Sequence, residues 1–207
     1  MEVEAYSLLV GAKPRVEDRV AIFEQPDGLT LVVADGAGGV SGAAEAAQLV
    51  LDGVEAFLAD GQDPRSASGW SQLLMEIDER VLAAPEAGES TAVVVHLSSD
   101  GLVGASVGDS EAWLLERDTL RVLTENQRRK RIGMGSIWAE PFEAAPLHGD
   151  LLLGSDGLFR YLTREDILPL LEPSDGETCL QALETALLAR FEKLPDDLGL
   201  VLARGEI

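Results

Sequence analysis

The run Leu29-Thr-Leu-Val-Val-Ala34 leaves the chain little freedom at that point. Six consecutive apolar or β-branched residues read as a buried strand. The strand meets a carboxylate, Asp35, among the glycines Gly36, Gly38, Gly39 and Gly42, and the pattern turns helical at Ala43. A charged group at the end of a buried strand, with glycines beside it, marks a place where backbone approaches something small. It describes a Gly-rich turn with a solvated Asp equally well. The rest of the chain has to decide.

Upstream, Glu4 to Val10 and Arg19 to Phe23 read as strands around a polar loop, Gly11 to Asp18, that ends in the paired acids Glu17 and Asp18. Asp27-Gly28 and Asp100-Gly101 are hairpin dipeptides. Downstream, Ala43 to Leu58 has a helical apolar stripe through Ala47, Val50, Leu51, Val54 and Leu58. Asp63-Pro64 is expected to open a second helix carrying Trp70, Leu73, Leu74, Ile77 and Val81. Strands are expected over Thr91 to Leu97, Leu102 to Val107, Ala112 to Leu115, Leu120 to Leu123 and the stretch before Asp156. Thr163 is expected to cap a helix through Leu171, with Asp166 at its third position. Ser174-x-x-Glu177 reads as the capping box of a last helix to about Lys193, and Leu198 to Ala203 as a final strand. Hairpin connections imply antiparallel sheets, and helices grouped apart from strands imply an α+β fold of packed layers. No internal repeat or linker divides the chain, so residues 1–207 read as a single domain.

The charge balance narrows the function. With 16 Lys and Arg against 37 Asp and Glu, the formal net charge is −21, which argues against nucleic acid and against an anionic membrane surface as partners. An acidic protein acting on phosphate groups needs a local positive charge, and a bound divalent cation is one source. One segment, Asn126 to Gly135, is basic. The single cysteine, Cys179, lies in a helical pattern and reads as a small buried hydrophobe, which suits a reducing cytoplasm. The acidic N-terminus has no signal-peptide pattern, and no apolar run is long enough to span a membrane.

Four acids, Asp18, Asp35, Asp156 and Asp196, stand where apolar runs begin or end. Carboxylates gathered at one sheet edge repel unless a cation sits among them, and Mg²⁺ or Mn²⁺ takes such oxygen ligands. His96, in a strand, and His148, in a turn, read as structural or solvated, so zinc is not expected. A dinucleotide site, suggested by Gly36-x-Gly38-x-x-Ser41, is rejected. Ser41 replaces the third glycine, Asp35 would face a pyrophosphate, and the acid about 20 residues on, Glu55, lies in a helix.

Taken together, Glu17-Asp18, Val-Ala-Asp35-Gly-x-Gly-Gly, Ser90-Thr-Ala-Val-Val, Val107-Gly-Asp109-Ser, Ser155-Asp156-Gly-Leu and Asp196-Asp197 before a last strand resemble, in order and over essentially the whole chain, the metal-dependent protein phosphatases of type 2C, the bacterial branch most. The resemblance implies a four-layer α-β-β-α sandwich and hydrolysis of phosphoserine or phosphothreonine by a metal-activated water, with two Mn²⁺ or Mg²⁺ ions as cofactors. It assigns Asp35, Asp156 and Asp196 to catalysis as core ligands, with the Gly36 carbonyl as a further ligand. Glu17 and Asp18 would act mainly through waters on the ions. A phosphorylated protein is the implied partner, together with a cognate Ser/Thr kinase or its targets, and a cytoplasmic monomer is expected. The family's phosphate-binding Arg position holds Lys13 here, with Arg15 nearby. Asp109 matches a third-ion ligand whose partner position carries Arg160. The resemblance therefore implies two ions and an Arg160–Asp109 pair. The alternative is a catalytically weak pseudophosphatase working as a regulatory, phosphoprotein-binding module.

Overall fold

The computed structural model describes residues 2–37, 41–116, 119–126 and 130–206. The glycines Gly38 and Gly39 of the central motif, and Arg128 and Arg129 of the basic segment, lie outside the described residues. Among the described residues, ten strands form two antiparallel five-stranded sheets. The first sheet is ordered β1 (Glu2–Val10), β10 (Leu198–Glu206), β9 (His148–Gly154), β6 (Glu111–Glu116) and β7 (Thr119–Val122). The second is ordered β2 (Arg19–Gln25), β3 (Gly28–Ala34), β4 (Ala92–Ser98), β5 (Gly101–Val107) and β8 (Glu140–Ala144). Helices α1 (Ala43–Ala59) and α2 (Ala67–Ala83) cover the outer face of the second sheet, and α5 (Gly176–Phe191) covers the first.

The period-2 rule of strands sorts the side chains into layers. On β3 and β4, Val32, Ala34, Ala92 and Val94 pack against Val50, Val54, Trp70, Leu74 and Ile77 of the helices. The intervening Leu31, Val33, Val93 and Val95 meet Leu151, Leu153, Val201 and Ala203 of the other sheet. Leu152, Leu200 and Leu202 point the other way, into Cys179, Leu180, Leu183 and Leu187 of α5. Both faces of each central strand are therefore dry, which is why β3 and β4 read as unbroken apolar runs although they are antiparallel. The result is the α-β-β-α sandwich.

Helix starts differ from expectation in two places. Ser66, not Asp63, caps α2, accepting from Gly69 N. Asp63 accepts instead from the backbone of Arg65 at 3.0 Å, the Asx turn its short side chain favours. On α5 the cap is Asp175 rather than Ser174, and it accepts from Glu177 N and Thr178 N. A carboxylate adds attraction to the helix dipole. The Thr163–Asp166 capping box is present, but α4 (Arg164–Ile167) is short. Pro169 follows, and the chain continues as a 3₁₀ turn, Leu168–Leu171. Strand β8 contains Pro141, which a sheet tolerates at the edge that β8 occupies. His148 opens β9 rather than a turn. His96 is fully buried on β4, its Nδ1 3.0 Å from Thr30 Oγ1. Among the described residues no helix is long and apolar enough to cross a membrane.

Candidate active site

Four chain segments end at the same place. β3 delivers Asp35, and the loop before β2 delivers Glu17 and Asp18. β9 runs into the single-turn helix α3 (Asp156–Phe159), which Asp156 opens, and Asp196 precedes β10. The hydrogen-bond register brings these ends together: Arg19 pairs with Ala34 across β2 and β3, and Leu200 with Gly154 across β10 and β9. Each carboxylate thus sits one or a few residues beyond a fixed ladder rung.

The glycines after two of these acids are explained by close approach. A Cβ on Gly36 would lie 2.7 Å from the Glu17 carbonyl oxygen, and one on Gly157 would lie 1.9 Å from the Asp197 carbonyl oxygen. Neither position can carry a side chain without moving the backbone of a neighbouring site residue. Ser155, fully buried, fastens the same corner. Its N donates to Gly199 O and its Oγ accepts from Gly199 N.

The acids line a cleft of about 130 Å³ together with Thr91, Arg131 and Arg160. Glu17, Asp18, Asp35, Gly36, Asp109, Asp156, Asp196 and Asp197 all border it. That volume is far below the ~300 Å³ at which sites begin to enclose a drug-sized ligand, and it suits a small anion with water. Asp18 is 2% exposed, and its Oδ2 is buried without a hydrogen-bond partner. Burial pushes the Asp18 carboxyl up to about 7, with Asp197 and Asp156 adding repulsion. Burial again, and then Asp18, Asp156, Asp109 and Asp196, push Asp35 up to about 9. Asp156 is raised by burial and by Asp109 and Asp196, with Arg160 acting in the opposite direction. Among the described residues no three acidic, histidine or cysteine side chains meet as a closed ligand cage.

The cations are placed differently from expectation. Arg160 donates to Asp156 Oδ2 at 3.3 Å rather than pairing with Asp109. The two residues are four apart, with Arg160 at the end of the turn that Asp156 begins, so the local pair forms without ordering a distant partner. Arg15 pairs with Glu45 on α1, and Lys13 lies 3.2 Å from Glu17 Oε2 and 4.0 Å from Asp196 Oδ1. Neither Lys13 nor Arg15 borders the cleft, whereas Arg131 and Arg160 do.

Three supporting residues had no assigned role in the sequence. Thr91 N donates to Asp35 O at 2.8 Å, and Thr91 Oγ1 accepts from Asp35 N at 3.1 Å. Ser90 Oγ also donates to Asp35 O. Asp197, 3% exposed, turns away from a ligand role. Its two oxygens accept from Ala12 N and Glu17 N, each at 2.7 Å, and so hold the loop that carries Glu17. Hydrogen bonds to a charged group contribute about 1.5–3 kcal/mol each, so Asp197→Ala is expected to lower unfolding free energy by about 2 kcal/mol or more. Chemical denaturation measures this, and a variant as stable as the parent would contradict the tethering role.

Comparison with known proteins agrees with this fold. Solved structures with the same fold include a bacterial serine phosphatase (21% identity, 99% of this chain and 97% of that one, TM-score 0.82). The serine/threonine phosphatase Stp1 from Staphylococcus aureus is similar at 20% identity, 100% and 95% coverage and a TM-score of 0.80. The catalytic domain of the serine threonine protein phosphatase PstP, solved with two manganese ions, matches at 20% identity, 98% and 97% coverage and a TM-score of 0.80. No curated protein matches by sequence. A protein phosphatase 2C family model aligns with residues 12–187, from the loop of Lys13 through both Asp-Gly motifs into α5, so the chain belongs to the protein phosphatase 2C family of hydrolases.

Proposed function

We propose that the protein is a metal-dependent serine/threonine phosphatase acting on phosphorylated proteins. The observation that carries this reading is the convergence of strand-end carboxylates from both sheets on one small cleft, with Asp18 Oδ2 buried and unpartnered among them.

The cleft fits hard divalent cations. Its donors are oxygens, with no histidine or cysteine among the described residues that line it. Three of its carboxyl groups are pushed upward by burial and mutual repulsion, a cost that a cation offsets. Glu17, Asp18, Asp35, the Gly36 carbonyl, Asp156 and Asp196 would hold two Mn²⁺ or Mg²⁺ ions. Bound there, the ions would polarise the phosphoryl oxygens and lower the pKa of water so that it attacks phosphorus directly.

The chain's own residues supply the rest. Thr91 and Ser90 hold the Asp35 backbone, so the point from which the carboxylate extends is set before substrate arrives. Asp197 holds the 12–17 loop. Arg160 presents a guanidinium at the cleft, and a phosphoryl group can compete with Asp156 for its donors. Lys13, 51% exposed, is a mobile point charge just outside, suited to attracting phosphate rather than gripping it. No cysteine or serine nucleophile is required.

The test is hydrolysis of a phosphoserine peptide and an aryl phosphate with Mn²⁺ or Mg²⁺ and with excess chelator. Turnover that requires the cation supports the reading, and equal turnover in chelator refutes it. Phosphopeptide binding without turnover would favour the binding-module alternative, for which the Arg160–Asp156 pair gives a physical reason, since it sets a fixed cation on a proposed ligand.

A further inference from the structure

One buried carboxylate outside the cleft is used by nothing described so far. Asp78 lies on α2 and is 1% exposed. Its Oδ1 accepts from Gly133 N at 2.7 Å and from Gly135 N at 3.1 Å. Both glycines are left-handed, with φ of 95° and 72°, and Ser136 follows at 56°. The loop turns two alternate N–H groups toward one point, while the Met134 N between them donates to Arg131 O; the result is an anion-binding concavity, and here the anion is a side chain of the protein itself.

The loop is tied to the site by the residue before it. Ile132 exchanges two backbone hydrogen bonds with Ser90, at 2.8 and 3.0 Å, and Ser90 bridges to Gly36. Arg131, between this bridge and the rest of the basic segment, borders the cleft. Its Nη1 is 3.4 Å from Glu89 Oε2, and both side chains are partly exposed, at 41% and 27%. So α2 sets the loop, the loop sets Ile132, and Ile132 sets where Arg131 stands.

The chemistry of Arg131 follows from its surroundings. In a chain of net charge −21, Arg131, the last residue of a basic run in the sequence, stands at the rim of the cleft. Its present partner is a carboxylate held by a long, solvent-facing contact that an incoming carboxylate can replace. A fixed guanidinium fork matches carboxylate geometry. We propose that Arg131, positioned by Asp78, selects phosphopeptides carrying an acidic residue next to the phosphorylated one. This rests on the phosphatase reading. Asp78 is a positioning residue, since it acts only through the 132–135 loop.

The experiment compares kcat/KM for two phosphoserine peptides, one with Glu and one with Ala beside the phosphoserine. It uses the full chain with Mn²⁺, as wild type and as Arg131→Ala, Arg131→Lys, Asp78→Ala and Asp78→Asn. The wild type is expected to favour the acidic peptide about fivefold, as a partly exposed ion pair allows, and less at high salt. Arg131→Ala and Asp78→Ala are expected to bring the ratio close to one, with no further change in the double variant. Asp78→Asn keeps an acceptor oxygen and should keep most of the preference. A purely structural role for Asp78 would slow both peptides equally and leave the ratio unchanged. A wild-type ratio of one, or an unchanged ratio in Arg131→Ala, overturns the selection. An unchanged ratio in folded Asp78→Ala overturns the positioning. Should Asp78→Ala not fold, hydrogen exchange at the Gly133 and Gly135 amides of the wild type decides: strong protection supports the tether, and exchange at the rate of an open loop removes it. Wild-type turnover of neither peptide would fail the phosphatase reading itself, and the selection with it.

Discussion

Asp35→Ala is expected to lower phosphoserine peptide hydrolysis at least ~10²-fold while the protein stays folded. Asp35 stands at the meeting point of the site. Asp18, Asp156, Asp109 and Asp196 all act on its carboxyl, which with burial is pushed up to about 9, against about 7 for Asp18. A group in that position is the one most able to be shared between two cations, so its loss removes ligand charge from both. The fold should survive because the backbone at residue 35 is held independently of its side chain. At Asp35, Thr91 N, Ser90 Oγ and Thr91 Oγ1 bond the peptide groups and not the carboxylate. The measurement is steady-state kinetics with saturating Mn²⁺ beside a thermal melt. Wild-type kcat in Asp35→Ala would remove Asp35 from the mechanism. Loss of activity with loss of the melt would show that residue 35 matters for folding, contrary to the backbone argument.

How much of this site was legible in the sequence depends on how local each signal is. The strand-end acids could be found because each adjoins an apolar run whose burial fixes where the strand stops. Asp100 and Asp156 share the tripeptide Ser-Asp-Gly, and local sequence cannot separate them. Tertiary packing does: Asp100 sits in the exposed hairpin between β4 and β5, whereas Asp156 follows a strand flanked by β10 and β6. Thr91 and Ser90 look like ordinary strand residues, and their bonds to Asp35 depend on how β4 enters beside β3. Asp197 matches a family position, but its role as loop anchor needs a contact 180 residues away in sequence.

The Arg160 pairing was within reach of local reasoning and was still assigned to another partner. The i, i+4 spacing to Asp156 favours the pair that forms, provided that residues 156–160 make a helical turn. That turn is four residues long and begins directly at the strand end, too short to leave a periodic pattern. Arg131 lay inside the one basic cluster visible in the sequence. What placed it at the cleft was the bridge from Ile132 to Ser90, a contact with no local signature.

Without divalent cations, the folded protein is expected to lose stability as pH rises from about 7 to about 9, above the range in which His96, held below the ordinary histidine value by burial, acts in the opposite direction, and Mn²⁺ is expected to restore most of it at the alkaline end. The sign follows from the carboxyl groups. Asp18 and Asp35 titrate at about 7 and about 9 in the folded protein, against about 4 for an unfolded chain. Their protonated forms therefore favour the folded state. This contribution is complete below the unfolded value and disappears as pH passes about 7 and then about 9. Shifts of this size correspond to a change of the order of several kcal/mol, shared among coupled groups. The exposed acids lowered by hydrogen bonds, Asp166 and Asp175 among them, act in the opposite direction, but their window lies below the ordinary carboxylate value, outside this range. Cations bind the ionised carboxylates and not the protonated ones, so the stabilisation by Mn²⁺ should grow with pH. Thermal melts in chelator and in Mn²⁺ across this range provide the check. Asp35→Asn sharpens it, because removing the highest-titrating carboxyl should flatten the chelator curve and make the variant more stable than wild type near the alkaline end. A metal-free melting temperature that stays level or rises with pH would show that the cleft acids are not held together against their charge.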